Sequence, residues 1–114
     1  MQFIDGYLIP VPLANRQAFE EQSAKMNALF KEYGAVSYNE YWGEELPEGK
    51  LTSMHLAVDR QQGETVVFGW IAWPSKQARD AAWQKIHADR QMSEAPNLFD
   101  GKRMIMGGFV PLNP

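Results

Sequence analysis

Charged residues occur inside segments that otherwise look like apolar strands, and aromatic residues accompany them. The candidate site residues are Asp5, Tyr7, Glu40, Trp42, Trp70 and Arg103. A charge at an inward strand position is costly unless it is paired. The simpler interpretation is an Asp–Arg or Glu–Arg ion pair at the mouth of a barrel or at a subunit seam. The sharper hypothesis is a polar anchor for a small organic ligand in a mostly apolar pocket.

The type of charge at such an anchor would set the type of ligand. If Arg103 is the anchor, its forked guanidinium suits a ligand that bears a carboxylate. Trp42, Trp70 and Tyr7 would then line the cavity, which we expect inside a barrel between two packed sheets.

The two histidines give weaker signals. His87 lies four residues after Trp83, so both side chains share a helix face, which favours simple stacking on the indole over a general base. His55 is also expected to be structural. The histidines lack the close spacing of metal ligands, and the glutamates of 44–48 indicate a solvated loop, so no metal site is expected.

Composition excludes several classes of function. The chain has 114 residues, a net charge of −3 and no cysteine. These values predict a single domain, 1–114, without disulfides or thiolate catalysis. There is no basic stripe for nucleic acid, no phosphate-binding glycine loop, no signal peptide and no apolar run long enough for a bilayer. We therefore expect a cytoplasmic protein without nucleic-acid or membrane partners and without a cofactor.

Residues 65–73 are the most informative element because they form a strand that is apolar on both faces. Val67, Ile71 and Trp73 point to one side, whereas Phe68 and Trp70 point to the other. Such a strand needs cover on both sides.

The remaining elements place this strand third of four. Apolar periodicity and proline and glycine punctuation predict strands at 3–11, 36–42 and 102–110 and helices at 16–33 and 76–88. Asn15 and Ser75 are the expected N-caps and Gly34 the expected helix end. Residues 44–50 indicate a loop, residues 51–58 are ambiguous between an edge strand and a helical turn, and residues 89–100 are expected to hold one short turn.

The order β-α-β-β-α-β predicts an α+β, ferredoxin-like antiparallel sheet with both helices on one face. The other face would expose aromatic residues, and a large apolar patch is rarely left open on a monomer. A homodimer formed through this sheet face, giving a dimeric α/β barrel, is the favoured solution. Packing through another surface remains an alternative.

Several motifs resemble the bacterial family called domain of unknown function 1428. They are Asp5-Gly6-Tyr7, Pro10-Val11-Pro12, Tyr33-Gly34-Ala35, Glu64 to Phe68 with Trp70-Ile71, Phe99 to Ile105, and Gly107-Gly108-Phe109. The resemblance implies membership of the dimeric α/β-barrel superfamily and implies no established activity. The chain departs from the family at Ser53-Met54-His55-Leu56, where Ser-Phe-Pro-Gln is expected.

Three functions follow as hypotheses. The first is a homodimer that binds a small organic ligand in an apolar cavity. The second is a cofactor-independent enzyme similar to the small monooxygenases and isomerases of the same superfamily, an analogy at the level of the fold. The third is a structural or regulatory dimer without a ligand.

Overall fold

The computed structural model describes residues 1–113. Its strands and helices are β1 (Phe3–Pro12), α1 (Arg16–Glu32), β2 (Ser37–Trp42), α2 (Met54–Ala57), β3 (Glu64–Trp73), α3 (Lys76–Ala88), α4 (Arg90–Ser93) and β4 (Ile105–Phe109). Short 3-10 turns, Leu13–Asn15 and Gly101–Arg103, precede α1 and β4.

Within residues 1–113 the strands form a four-stranded antiparallel sheet in the order β2-β3-β1-β4. The long strands β1 and β3 occupy its centre and pair from Phe3 opposite Trp73 to Pro12 opposite Glu64. This is the strand arrangement of a split βαβ, ferredoxin-like fold, so the predicted α+β class is confirmed.

Helices α1 and α3 cover one face of the sheet. The buried core on that face contains Tyr7, Ile9, Val11, Tyr38, Val67, Ile71 and Trp73 from the strands and Phe19, Met26, Leu29, Phe30, Ala82 and Ile86 from the helices. Complete burial of one large apolar side chain contributes roughly 1.5–3 kcal/mol, which makes this layer a major source of stability.

The opposite face of the sheet is apolar as well and remains largely open. It presents Ile4, Leu8, Tyr41, Phe68, Trp70, Ile105 and Phe109. Tyr41 and Phe68 stack with ring centroids 6.1 Å apart and are 51% and 46% exposed. The short helix α2 packs against β3. The two-faced character predicted for β3 is therefore confirmed.

The helix ends follow their sequence signals in part. Ser75 caps α3 by accepting from the Ala78 amide, and Gly34 follows α1 with a φ of 105°. Asn15 stands at the N-cap of α1, but its side chain instead donates to the Leu98 carbonyl 2.9 Å away. The ambiguous segment becomes α2, capped by Ser53.

Every strand differs from its predicted bounds at one end or both, and two of these differences have a clear physical cause. β1 continues through Pro10 and Pro12, because β4 runs beside β1 only from Ile4 to Leu8 and so requires no amide from the prolines. At the other end of the chain, β4 begins at Ile105 rather than at residue 102. The Asp100 side chain accepts from the Lys102 amide and fixes a 3-10 turn there.

Candidate functional site

A cavity of about 300 Å³ lies between the sheet and the helices that cover it. The sheet contributes Tyr7, Tyr38 and Glu40, α1 contributes Gln22 and Met26, and α3 contributes Trp83. The segment after α3 forms the outer wall with Met92, Phe99 and Met104. The cavity is thus built within one chain, whereas the sequence placed it between two sheets.

A carboxylate held by two tyrosines is the polar centre of this cavity. The Tyr7 hydroxyl donates to Glu40 Oε2 at 2.6 Å, and the Tyr38 hydroxyl donates to Glu40 Oε1 at 3.0 Å. The two donors come from different strands, since Tyr7 lies on β1 and Tyr38 on β2. Each carboxylate oxygen keeps a further lone pair, so the cluster can accept another hydrogen bond.

The strand geometry explains how the three side chains meet. Tyr38 and Glu40 are two residues apart and point to the same side of β2. β3 separates β2 from β1, and its residue opposite both Tyr7 and Glu40 is Gly69. A Cβ atom at Gly69 would overlap the Tyr7 ring, so only glycine leaves the ring room to reach Glu40.

The surroundings keep both tyrosines protonated. Burial raises the pKa of Tyr7 far above its usual value, and the neighbouring Tyr38 and Glu40 raise it further. Burial, followed by the charge of Glu40, also raises the pKa of Tyr38. Both hydroxyls are therefore permanent donors at any physiological pH.

A second carboxylate, which unlike Glu40 is buried, supports one wall of the cavity. Asp5 is 2% exposed. Its Oδ2 accepts from the indole nitrogens of Trp73 at 2.9 Å and Trp83 at 3.0 Å, and its Oδ1 accepts from Arg79 Nε at 3.1 Å. Because Trp83 lines the cavity, Asp5 fixes the orientation of a wall residue from behind.

The candidate residues from the sequence fall into two groups. Tyr7 and Glu40 line the cavity, and Asp5 supports it. Trp42 borders a smaller adjoining cavity that Glu40 also lines. Arg16 lies over the Trp42 ring at 5.2 Å.

Trp70 and Arg103 do not line this cavity. Trp70 projects from the open face of the sheet, because it is one residue out of phase with Ile71, which faces the cavity. Arg103 lies in the turn before β4 and not within a strand. It forms a bidentate ion pair with Glu64 and a further ion pair with Asp100. The structure therefore supports the simpler ion-pair interpretation for this residue.

The histidines are outside the cavity lining formed by residues 1–113. The His87 ring packs on Trp83 with centroids 5.3 Å apart, as predicted. His55, which lies in the segment that departs from the family pattern, has its Nε2 atom 3.2 Å from the Leu46 carbonyl oxygen.

Other cavity residues were missed at the sequence level. Tyr38 shares the strand face of Glu40, and this spacing of two was a usable signal. Gln22 and Met26 belong to the apolar face of α1 and gave no chemical signal. Met92 lies in a segment for which only one short turn was predicted.

Residues 1–113 contain no group of three or more His, Asp and Glu side chains arranged to hold a metal ion. No helix in that part of the chain is long and apolar enough to cross a membrane.

The fold places the chain among ferredoxin-like α/β proteins that include monooxygenases. Rv0793 from Mycobacterium tuberculosis matches with a TM-score of 0.58 and 15% identity over 100% of this chain and 98% of that one. The monooxygenase ActVA-Orf6 of Streptomyces coelicolor, solved with the ligand Nanaomycin D, matches at 0.56 with 16% identity over 98% and 88%. A putative antibiotic biosynthesis monooxygenase from Bacillus cereus matches at 0.56 with 12% identity over 99% and 95%. At these identities the likeness shows the fold alone.

The sequence defines a narrower group. Residues 2–101 match the family described as protein of unknown function DUF1428. The uncharacterized protein YbaA of Escherichia coli K12 is 46% identical over 111 residues, which cover 96% of this chain and 95% of YbaA. The chain therefore belongs to the DUF1428 family, which confirms the resemblance seen in its motifs.

Proposed function

We propose that this protein is a homodimer in which each protomer binds a neutral, largely apolar small molecule that carries a hydroxyl group. The ligand occupies the cavity between the sheet and the helices, and its hydroxyl donates to Glu40. The observation that carries the proposal is the Tyr7–Glu40–Tyr38 cluster within a mostly apolar cavity. A few convergent polar groups in an apolar pocket are typical of ligand sites.

The charges around the cavity favour a ligand that donates a hydrogen bond over an anionic ligand. Glu40 accepts from both tyrosines, and the residues 1–113 that line the cavity include neither lysine nor arginine. Arg103, the anchor considered for a carboxylate, already binds Glu64 and Asp100. A ligand carboxylate near Glu40 would be repelled, whereas a hydroxyl would form a charge-assisted hydrogen bond.

The open sheet face supports the homodimer. It presents a contiguous set of aromatic and aliphatic side chains, among them Tyr41, Phe68 and Phe109. A second copy offers the same apolar surface, and a two-fold interface joins identical patches. The ligand cavity lies on the other side of the sheet, so dimer formation leaves it accessible.

Naphthol, naphthoate and the variant Glu40→Gln test the ligand chemistry. Naphthol resembles the proposed ligand, and naphthoate keeps the rings but replaces the hydroxyl with a carboxylate. We expect calorimetry to detect binding of naphthol in preference to naphthoate. Glu40→Gln should weaken naphthol binding about tenfold, because a charged acceptor contributes about 1.5–3 kcal/mol and its neutral replacement recovers part of that.

Glu48→Gln is the matched control, since Glu48 is an exposed loop residue. It makes the same charge change and should leave the affinity unchanged. Stronger binding of naphthoate than of naphthol, or equal effects of the two variants, would contradict the proposal.

A second candidate function is oxidation of a bound hydroxyaromatic ligand to a quinone by dioxygen, without a metal or organic cofactor; the ligand supplies the electrons, one oxygen atom enters the ring and the other leaves as water. The cluster itself favours it, because Glu40 can accept the hydroxyl proton and leave an electron-rich aromatic oxyanion. Two solved proteins of the same fold are named as monooxygenases. The test is ligand-dependent oxygen consumption above the rate without protein; Glu40→Gln should abolish the excess. Binding without any excess consumption would leave the protein as a binding module.

A further inference from the structure

Gln22 brings a polar group into the cavity from the helix side. It lies on α1, between the cavity residues Phe19 and Met26. Glu40 lies on the sheet, so the two polar groups belong to opposing walls. Gln22 also borders the groove between α1 and residues 91–96, which places its side chain at the outer end of the cavity.

The Gln22 amide is not satisfied by the protein. Its Oε1 atom is buried and has no hydrogen-bond partner among residues 1–113. Buried polar side-chain atoms nearly always have a partner. Because this oxygen has no surface open to the cavity, the amide gains a partner only by turning one of its polar atoms toward a ligand. The two sides of an amide can exchange by rotation, but a hydroxyl can either donate to its oxygen or accept from its nitrogen.

We propose that the ligand carries two hydroxyl groups, one directed to Glu40 and the other to the Gln22 amide. This inference rests on the proposed function and narrows it to neutral aromatic diols or molecules of the same hydrogen-bonding pattern. Gln22 is then the residue that discriminates a diol from a ligand with a single hydroxyl. Sites that present a buried polar group to a substrate hydroxyl reject analogues that lack it, because the protein group stays unpaired.

The test compares naphthol with a naphthalenediol on the unmodified protein and on Gln22→Met. Methionine has nearly the length of glutamine and lacks its amide. We expect the diol to bind the unmodified protein about tenfold more tightly than naphthol, the effect of one added hydrogen bond. In Gln22→Met the tenfold advantage of the diol over naphthol should vanish, because the diol loses the hydrogen bond that naphthol never makes.

Gln17→Met is the matched control. Gln17 lies on the same helix and is exposed. It should keep the tenfold preference for the diol. Thermal unfolding of each variant checks that the fold persists, and we expect Gln22→Met to unfold no earlier than the unmodified protein because it removes an unsatisfied amide from the interior.

The outcomes separate this inference from the proposed function. If naphthol and the diol bind the unmodified protein equally, the role of Gln22 is wrong and the Glu40 anchor survives. If Gln22→Met weakens the binding of both ligands equally, Gln22 contributes to the shape of the cavity and does not recognise a second hydroxyl, and the inference is overturned. If neither compound binds, the proposed function itself fails.

Discussion

The Tyr7 hydroxyl reaches Glu40 Oε2 at 2.6 Å across the full width of an intervening strand. The two residues lie on β1 and β2, and both are opposite Gly69 of β3. The missing side chain at Gly69 is therefore part of the site. A glycine within a central strand has a conformational cost, and here the space it leaves is occupied by the Tyr7 ring.

Gly69→Ala tests this relationship. The added methyl group would overlap the Tyr7 ring, so either the ring leaves Glu40 or the strands shift. We expect a loss of about 1–3 kcal/mol in the free energy of unfolding, typical of overpacking, together with weaker naphthol binding. Urea unfolding and calorimetry measure the two effects.

Gly107→Ala is the control for that substitution. Gly107 is also a strand glycine, but a Cβ there would meet only the Phe109 ring at ordinary contact distances of 3.4–3.5 Å. It should leave the affinity for naphthol unchanged. Equal losses in both variants would show that Gly69 matters for the strand in general and not for Tyr7.

The buried tyrosines predict a loss of stability at high pH. Burial raises the pKa of Tyr7 and of Tyr38 in the folded protein, whereas both ionise near pKa 10.0 when the chain unfolds. The unfolded state therefore releases protons first, so the contribution of each tyrosine is complete below pH 10.0 and declines above it. The slope is about 1.4 kcal/mol per pH unit for each tyrosine.

Urea unfolding across this alkaline range measures the effect. Tyr38→Phe should remove one tyrosine's share of the slope, although it lowers stability near neutral pH by removing a hydrogen bond to Glu40. Tyr41→Phe is the control, because Tyr41 is half exposed on the same strand. An unchanged alkaline slope in Tyr38→Phe would contradict the assigned cause.

Asp5 predicts a different response, because it supports the cavity wall without facing the ligand. Asp5→Asn leaves one amide group opposite two indole donors and Arg79. We expect a loss of about 2–3 kcal/mol in stability, less than for a fully buried ion pair because Arg79 is 24% exposed. The tryptophan fluorescence should change, because the indoles of Trp73 and Trp83 share the acceptor that is altered.

Asp80→Asn separates this role from the ion pair itself. Asp80 also binds Arg79, but it is half exposed and does not contact the indoles. It should change stability little and leave the tryptophan fluorescence and naphthol affinity intact. If Asp5→Asn also leaves the tryptophan fluorescence and the naphthol affinity unchanged, Asp5 does not position Trp83.

The sequence was sufficient for the fold because its signals are local. The periodicity of α1, the Ser75 cap and the two-faced pattern of residues 65–73 each depend on neighbours along the chain. Only part of the candidate site could be predicted from the sequence, because the contacts between its residues depend on the register of the strands. Asp5 and Glu40 were both possible ion-pair partners of Arg103, yet Asp5 binds Arg79 from α3 and Arg103 binds Glu64 from β3.

Gln22 and Trp70 both show why the sequence alone did not locate the cavity. Gln22 is an ordinary helix residue until α1 is docked on the sheet and its amide is enclosed. Trp70 was expected to line a cavity between two packed sheets. Its side chain lies on the open face of the sheet, away from the cavity under the helices, as the alternation along β3 requires.

The open sheet face gives the last prediction, which concerns assembly. Phe68 is 46% exposed near the middle of that face and stacks on Tyr41. We expect the unmodified protein to be a dimer by light scattering and Phe68→Glu to be a folded monomer, because a two-fold interface would bring two buried carboxylates together. Leu51→Glu is the control, since Leu51 is 97% exposed in a loop and should leave the dimer intact. Because the cavity lies on the other side of the sheet, the Phe68→Glu monomer should still bind naphthol; a stable monomer of the unmodified protein at micromolar concentration would disprove the interface.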